Sequence, residues 1–167
     1  MINFQYFPRS QPTPDALLKI TKVFKRHADL INSETHQLQS DDVLKVIEQD
    51  LEKLDYVVKK GQKAKPNVSI PVLYGLNNIP LQSFKADAVH RQNHIVLKVE
   101  AGRALANNEF LKDIFDASMM SGVEYLVLAV RNIYQVKDFE KIYTYLDTLY
   151  TSGRITLPLK GILLIGY

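Results

Sequence analysis

Cysteine is absent from the 167 residues. Its absence removes a disulfide framework and thiolate metal sites from consideration. A chain with neither kind of staple must stand on a buried core, and this length suffices for one. Long apolar runs are missing as well: none approaches the roughly 20 residues that a membrane-spanning helix needs. The opening MINFQYFPRSQPTP has no basic region followed by an apolar stretch, so no secretory signal is expected. These absences predict a cytoplasmic protein that makes no use of a membrane. Internal repeats, linkers and low-complexity tracts are lacking too. There is no GxSxG elbow. There is no P-loop and no GxGxxG, which argues against nucleotide hydrolysis and dinucleotide binding. The histidines, His27, His36, His90 and His94, show no HExxH-type spacing, so a zinc site is not expected.

What is present is globular. The apolar share of 46% and the charged share of 23% lie near the averages for folded domains, and the length predicts one domain over 1–167. The formal charge of +3 permits a phosphate-bearing partner without requiring one. Pro8, Pro12 and Pro14 predict an extended arm over residues 1–14. From Asp15, a candidate cap, Leu17, Ile20, Phe24 and Ile31 recur at helical spacing up to a break at Asn32-Ser33. A second helix starts at Ser40-Asp41-Asp42 with the stripe Val43, Leu44, Ile47, Leu51 and Leu54. Tyr56 to Val58 is strand-prone, and GQKAKPN with Lys59 and Lys60 is a basic loop that could touch phosphate. Val68 to Tyr74 reads as an edge strand because of Pro71. Two more strands follow, over about 84–90 and 94–101. Asn107-Asn108 then open a helix to Met120 in which Phe110, Leu111, Ile114, Phe115 and Ala117 are available to the core. YLVLAV, Tyr125 to Val130, suits a central strand covered on both faces. A helix over 137–150, with Tyr143, Tyr145 and Tyr150 on it, and a last buried strand over 161–165 complete the chain. The order predicts an α/β fold: a mixed sheet with helices on both faces.

The chemistry concentrates in FKADAVHRQNHIVLKVEAGRA, Phe84 to Ala104. On the second strand Ile95, Leu97, Val99 and Ala101 point one way, and Val96, Lys98, Glu100 and Gly102 the other. A turn at Gln92-Asn93 pairs Asp87 with Lys98; a turn at Asn93-His94 pairs it with Glu100. Either puts Asp87 on the face of Lys98 and Glu100, whereas a three-residue loop would put it opposite. Carboxylates paired directly or diagonally lie roughly 5–8 Å apart at Cβ, within reach of one hard cation such as Mg²⁺. A lysine beside them can orient water or offset phosphate charge. On geometry alone the commoner reading is a cross-strand ion cluster on a wet face, worth about 1 kcal/mol or less.

The succession of helix, strands, an Asp in "KADAV", an acid ending the next strand in "KVEAGRA", helix and strand resembles the PD-(D/E)XK nuclease superfamily, which includes many restriction enzymes. The stretch VEAGRALANNEFLKDIFDASMM followed by YLVLAVRN also resembles a group of uncharacterised bacterial proteins with restriction-enzyme-like cores. The resemblance implies an α-β-β-β-α-β core over residues 40–130, with residues 131–167 adding a helix and a strand. It implies a metal-dependent nuclease hydrolysing DNA phosphodiester bonds. Asp87 and Glu100 would ligate Mg²⁺ or Mn²⁺, the Ala101 carbonyl would be a third ligand, and Glu48 is a further acid on the preceding helix. The superfamily's lysine, two residues after the acid, is Gly102 here. Lys98 is the expected substitute, with Arg103, adjacent in sequence, as the other; Arg103 and Lys85, expected on the face of Asp87, are nearby cations for the nucleic acid. A homodimer would supply two cuts from two sites. The alternative is a catalytically degenerate DNA-binding or assembly module of the same fold.

Overall fold

A computed structural model describes residues 1–61, 68–134 and 136–167. Of the basic loop, Lys59, Lys60 and Gly61 are described and the remainder lies outside the described residues. The elements in chain order are β1 (Asn3–Phe7), α1 (Asp15–Arg26), α2 (Ala28–Ile31), α3 (Ser40–Glu52), β2 (Val57–Val58), β3 (Ser69–Tyr74), β4 (Pro80–Lys85), β5 (Ala88–His90), β6 (Ile95–Glu100), α4 (Glu109–Met119), β7 (Tyr125–Val130), α5 (Asp138–Ser152) and β8 (Gly161–Gly166). The fold is α/β. Six strands form one mixed sheet in the order β1-β8-β7-β6-β5-β2, and β3 and β4 pair with each other.

The three central strands β6, β7 and β8 run parallel. Parallel neighbours need crossover helices: α4 and α5 cover one face, α1 and α3 cover the other, and burial on both sides is why YLVLAV and GILLIG read as unbroken apolar runs. Alternation on β6 divides the core in two. Ile95, Leu97 and Val99 face α1 and α3, packing with Leu17, Phe24, Val43 and Ile47. Val96 faces α4 and α5, with Phe110, Ile114 and Ile142. The stripe of α3 thus lies over the apolar face of β6, as its spacing predicts.

Several local expectations are corrected. Asp15 is the first helical residue of α1 and Pro14 precedes it as the cap position; proline suits a helix start because no amide donor is needed there. The first helix is interrupted at His27, whose backbone departs from helical angles. Residues 3–7 do not form a free arm: they pair antiparallel with β8 from Asn3↔Gly166 to Phe7↔Ile162. Phe115 is exposed rather than core. Asn108 precedes α4 in a left-handed conformation without a side-chain capping bond. The strand predicted over 84–90 is two strands in different sheets. Ala86 donates its N–H to the Val68 carbonyl, while Asp87 donates to the Leu97 carbonyl. The chain changes partner between these two residues.

One ionic knot holds α1 to α3. The buried Asp50 carboxylate accepts hydrogen bonds from Arg26 at 2.6 Å and Lys53 at 2.9 Å, and lies 3.1 Å from the His27 ring. Hydrogen bonds from Lys53, Arg26 and His27 hold its pKa well below the usual carboxylate range. A depressed carboxylate stabilises the fold above its unfolded pKa and loses that effect as pH falls through the folded one. Asp50→Ala is therefore expected to lower the melting temperature at neutral pH, with the difference from wild type shrinking in strong acid. Thermal unfolding of both proteins across that range checks it.

Candidate active site

The turn between β5 and β6 spans Arg91 to His94, and the ladder runs His90↔Ile95, Val89↔Val96 and Ala88↔Leu97. This is the register of the Gln92-Asn93 turn, and its next step sets Asp87 opposite Lys98. Because β4 has turned away at Ala86, β6 has no strand partner beside Val99 and Glu100 on that side. The Asp87 side chain fills the gap. Its Oδ2 accepts the Val99 N–H at 2.8 Å, standing in for the missing ladder bond. Its Oδ1 lies 3.3 Å from Lys59 Nζ, which also reaches Asp41 of α3 at 2.8 Å. Burial pulls the Lys59 pKa down, but the two carboxylates outweigh it and leave the group charged.

On the α4 side of β6, Lys98 Nζ sits 3.0 Å from Oδ1 of Asp113, a buried residue of α4. Oδ2 of Asp113 is buried with no hydrogen-bond partner among the described residues. Glu100 neighbours Asp113, and two adjacent buried carboxyl groups disfavour ionisation of both. Burial above all, then the charge of Asp113 and its hydrogen bond, push the Glu100 pKa up to about 8; Lys98 opposes this and Asp87 adds to it. Burial likewise raises Asp113, against the pull of Lys98. Lys98 feels burial downward, but Asp113, Asp87 and Glu100 carry it upward, so it stays an ammonium.

The raised Glu100 has a sign that can be measured. Between the usual carboxylate range and about pH 8 the folded chain holds a proton that the unfolded chain has lost, so stability falls as pH rises through that window. Glu100→Gln abolishes this titration. The variant is expected to match wild type near pH 5 and to unfold at a higher temperature near pH 8. Thermal melts of the pair at both pH values check it.

The remaining predicted residues scatter. Ala101 is half-buried just past the end of β6, and Arg103 is exposed in the following loop. Lys85 does not share the Asp87 face: it is exposed at the end of β4, opposite Ser69 in the other sheet. Alternation along the strand fails there because the backbone swings between sheets at Ala86. Glu48 pairs with Lys60, which also holds Glu52. Tyr143 and Tyr150 pack on Phe7, and Tyr145 lies against Phe110. Gly102 has φ +99°, and a Cβ built on it would lie 2.9 Å from the Tyr134 ring. A lysine at this place would be strained by the positive φ and would have to displace the half-exposed Tyr134 ring.

Asp113 is the residue that sequence reasoning passed over. A signal existed: it falls inside the apolar stripe Phe110, Ile114 and Ala117 of α4, where an acid must either find a partner or change its charge. The site's shape is fixed from behind by Tyr167, which is buried and donates its hydroxyl to the Glu100 carbonyl at 3.0 Å.

Among the described residues, no three acidic or histidine side chains are arranged in a ready metal-binding group. The donor chemistry nevertheless fits a hard divalent cation. Asp113 is paired with Lys98, Asp87 is held by Lys59 and the Val99 N–H, and the charges of Asp87 and Glu100 are felt at Lys98. A two-carboxylate set with water completing the shell is a common Mg²⁺ arrangement. No helix among the described residues is long and apolar enough to cross a membrane. Compared with protein-family models and with curated proteins, the chain matches none.

Proposed function

We propose that the chain is a divalent-cation-dependent nuclease of the cytoplasm that hydrolyses DNA phosphodiester bonds with a restriction-endonuclease-like core. The observation that supports this reading most is the fork at Asp87, where β4 departs and the Asp87 carboxylate takes the place of a strand beside Val99, one residue before Glu100. Asp87, Glu100 and the Ala101 carbonyl would hold Mg²⁺ or Mn²⁺, which supplies a more acidic bound water and offsets charge on the phosphate. Glu100, whose pKa is raised by burial and by Asp113, would have to be ionised to hold the cation. Lys98 Nζ, held in place by Asp113 Oδ1, donates to a phosphate oxygen. Arg103, exposed beyond Glu100, and Lys85 at the base of the hairpin contact flanking phosphates. A homodimer would cut both strands.

A second reading has its own observation. Gly102 and the Tyr134 ring close the place of the superfamily's lysine, and Lys98 is committed to Asp113. A chain so arranged binds DNA without cutting it. Incubating the purified protein with plasmid DNA and Mg²⁺ or Mn²⁺ separates the two. Metal-dependent nicking or linearisation is the expected result. Salt-dependent DNA binding without cleavage, and without heat of Mg²⁺ binding in calorimetry, sinks the enzyme and favours the binding module. Absence of both activities sinks both readings.

A further inference from the structure

The β3–β4 hairpin carries an exposed apolar surface that no other described residue covers. Val68, Ile70 and Phe84 pack its inner side against the core beneath α4. Its outer side and tip expose Leu73, Tyr74, Leu76, Ile79 and Leu81, with Leu76 88% and Leu81 70% accessible. A hairpin of two strands is marginal in water on its own, and such a cluster marks an interaction site rather than ordinary surface. We propose that this hairpin surface is the contact between two copies of the chain, joined about a two-fold axis. The inference is independent of the nuclease reading.

Charge and position select this occupant over nucleic acid. From Pro66 to Phe84 the sequence has no charged residue, in a chain of net charge +3. Phosphate recognition requires cations on the contact surface, and the hairpin between β3 and Phe84 offers none. A neutral apolar surface, by contrast, is self-complementary across a two-fold axis and brings no like charges together when two positively charged copies meet on it. Of the devices that guard exposed strands, these carry Pro71, Pro80 and the irregular register between Pro71 and Tyr74, while the single charge, Lys85, stands at the end of β4 away from the tip. The hairpin also runs away from the carboxylates. The Pro71 carbonyl takes the Ser121 N–H beyond the C-terminal end of α4, whereas Asp113 lies in the first half of that helix. The tip is thus remote from the candidate site, so joining two copies there leaves the site open.

Sedimentation equilibrium over a micromolar concentration range tests the proposal. Wild type is expected at twice the mass of one chain. Leu76→Asp and, separately, Leu73→Lys are expected to weaken association at least ~100-fold with unchanged melting of the monomer, since both side chains are already largely exposed. The control is Ile155→Glu, on the other exposed apolar surface, a cavity of about 410 Å³ lined by Tyr145, Leu149 and Ile155. It should leave the dimer intact. A wild type that remains a single chain overturns the proposal. So does a dimer that survives both hairpin substitutions, or one that Ile155→Glu dissociates equally. Hairpin variants that lose DNA binding while a single-chain mass is unchanged also overturn it, and assign the hairpin to nucleic acid.

Discussion

Asp87→Asn and Glu100→Gln are each expected to reduce metal-dependent DNA cleavage by about three orders of magnitude, equivalent to roughly 4 kcal/mol. The two substitutions reach that result by different routes. Asn at position 87 can still accept the Val99 N–H through its amide oxygen, so the fork between β4 and β6 is kept while the anionic ligand is lost. Gln at position 100 removes a group that burial and Asp113 already hold largely protonated near neutral pH, so the fold gains rather than loses stability. Rates from plasmid-cleavage time courses, read beside melting temperatures, make the comparison. Cleavage that persists in both variants removes these carboxylates from the reaction. Cleavage lost together with the folded state in Asp87→Asn would instead make Asp87 a structural residue.

The second large effect concerns stability. Lys98→Met is expected to cost about 3–5 kcal/mol, because it leaves the Asp113 carboxylate buried beside Glu100 without its counter-ion. Asp113→Leu should cost a similar amount by stranding Lys98. The double variant should recover most of the loss, since a buried pair replaced by apolar groups of similar volume is often neutral. Denaturant unfolding of the four proteins closes the cycle. A small cost for Lys98→Met would mean that Asp113 simply takes up a proton. Activity of Lys98 variants can be read only beside this cycle, because the same ammonium is assigned to both packing and phosphate.

Much of the architecture was legible because it follows from periodicity. YLVLAV could only be a strand with both faces covered, and the alternation of Ile95, Leu97 and Val99 chose the face on which α3 packs. The register that sets Asp87 beside Lys98 followed from strand parity and a compact turn. The fork at Ala86-Asp87 was not legible, since nothing in the local pattern of KADAV records that one peptide bonds to Val68 and the next to Leu97. Lys85 was misplaced for that reason. β1 was hidden by its proline-rich surroundings: the partners of an edge strand lie at the other end of the chain and leave no trace in its own spacing. Asp113 was missed because an acid in a helix is usually solvated, and only its place among Phe110, Ile114 and Ala117 says otherwise.

The pairing of β1 with β8 joins residues near opposite ends of the sequence, Asn3 with Gly166. Closing so long a loop costs chain entropy that grows with the logarithm of its length, and contacts of such range slow folding. The β5–β6 hairpin, which carries the fork and both carboxylates, closes through a single short turn. As a polymer, then, the molecule keeps its candidate chemistry on its most local contacts. The far border of the sheet, and with it the buried Tyr167 that steadies the Glu100 peptide from behind, belongs to the part assembled over the longest reach.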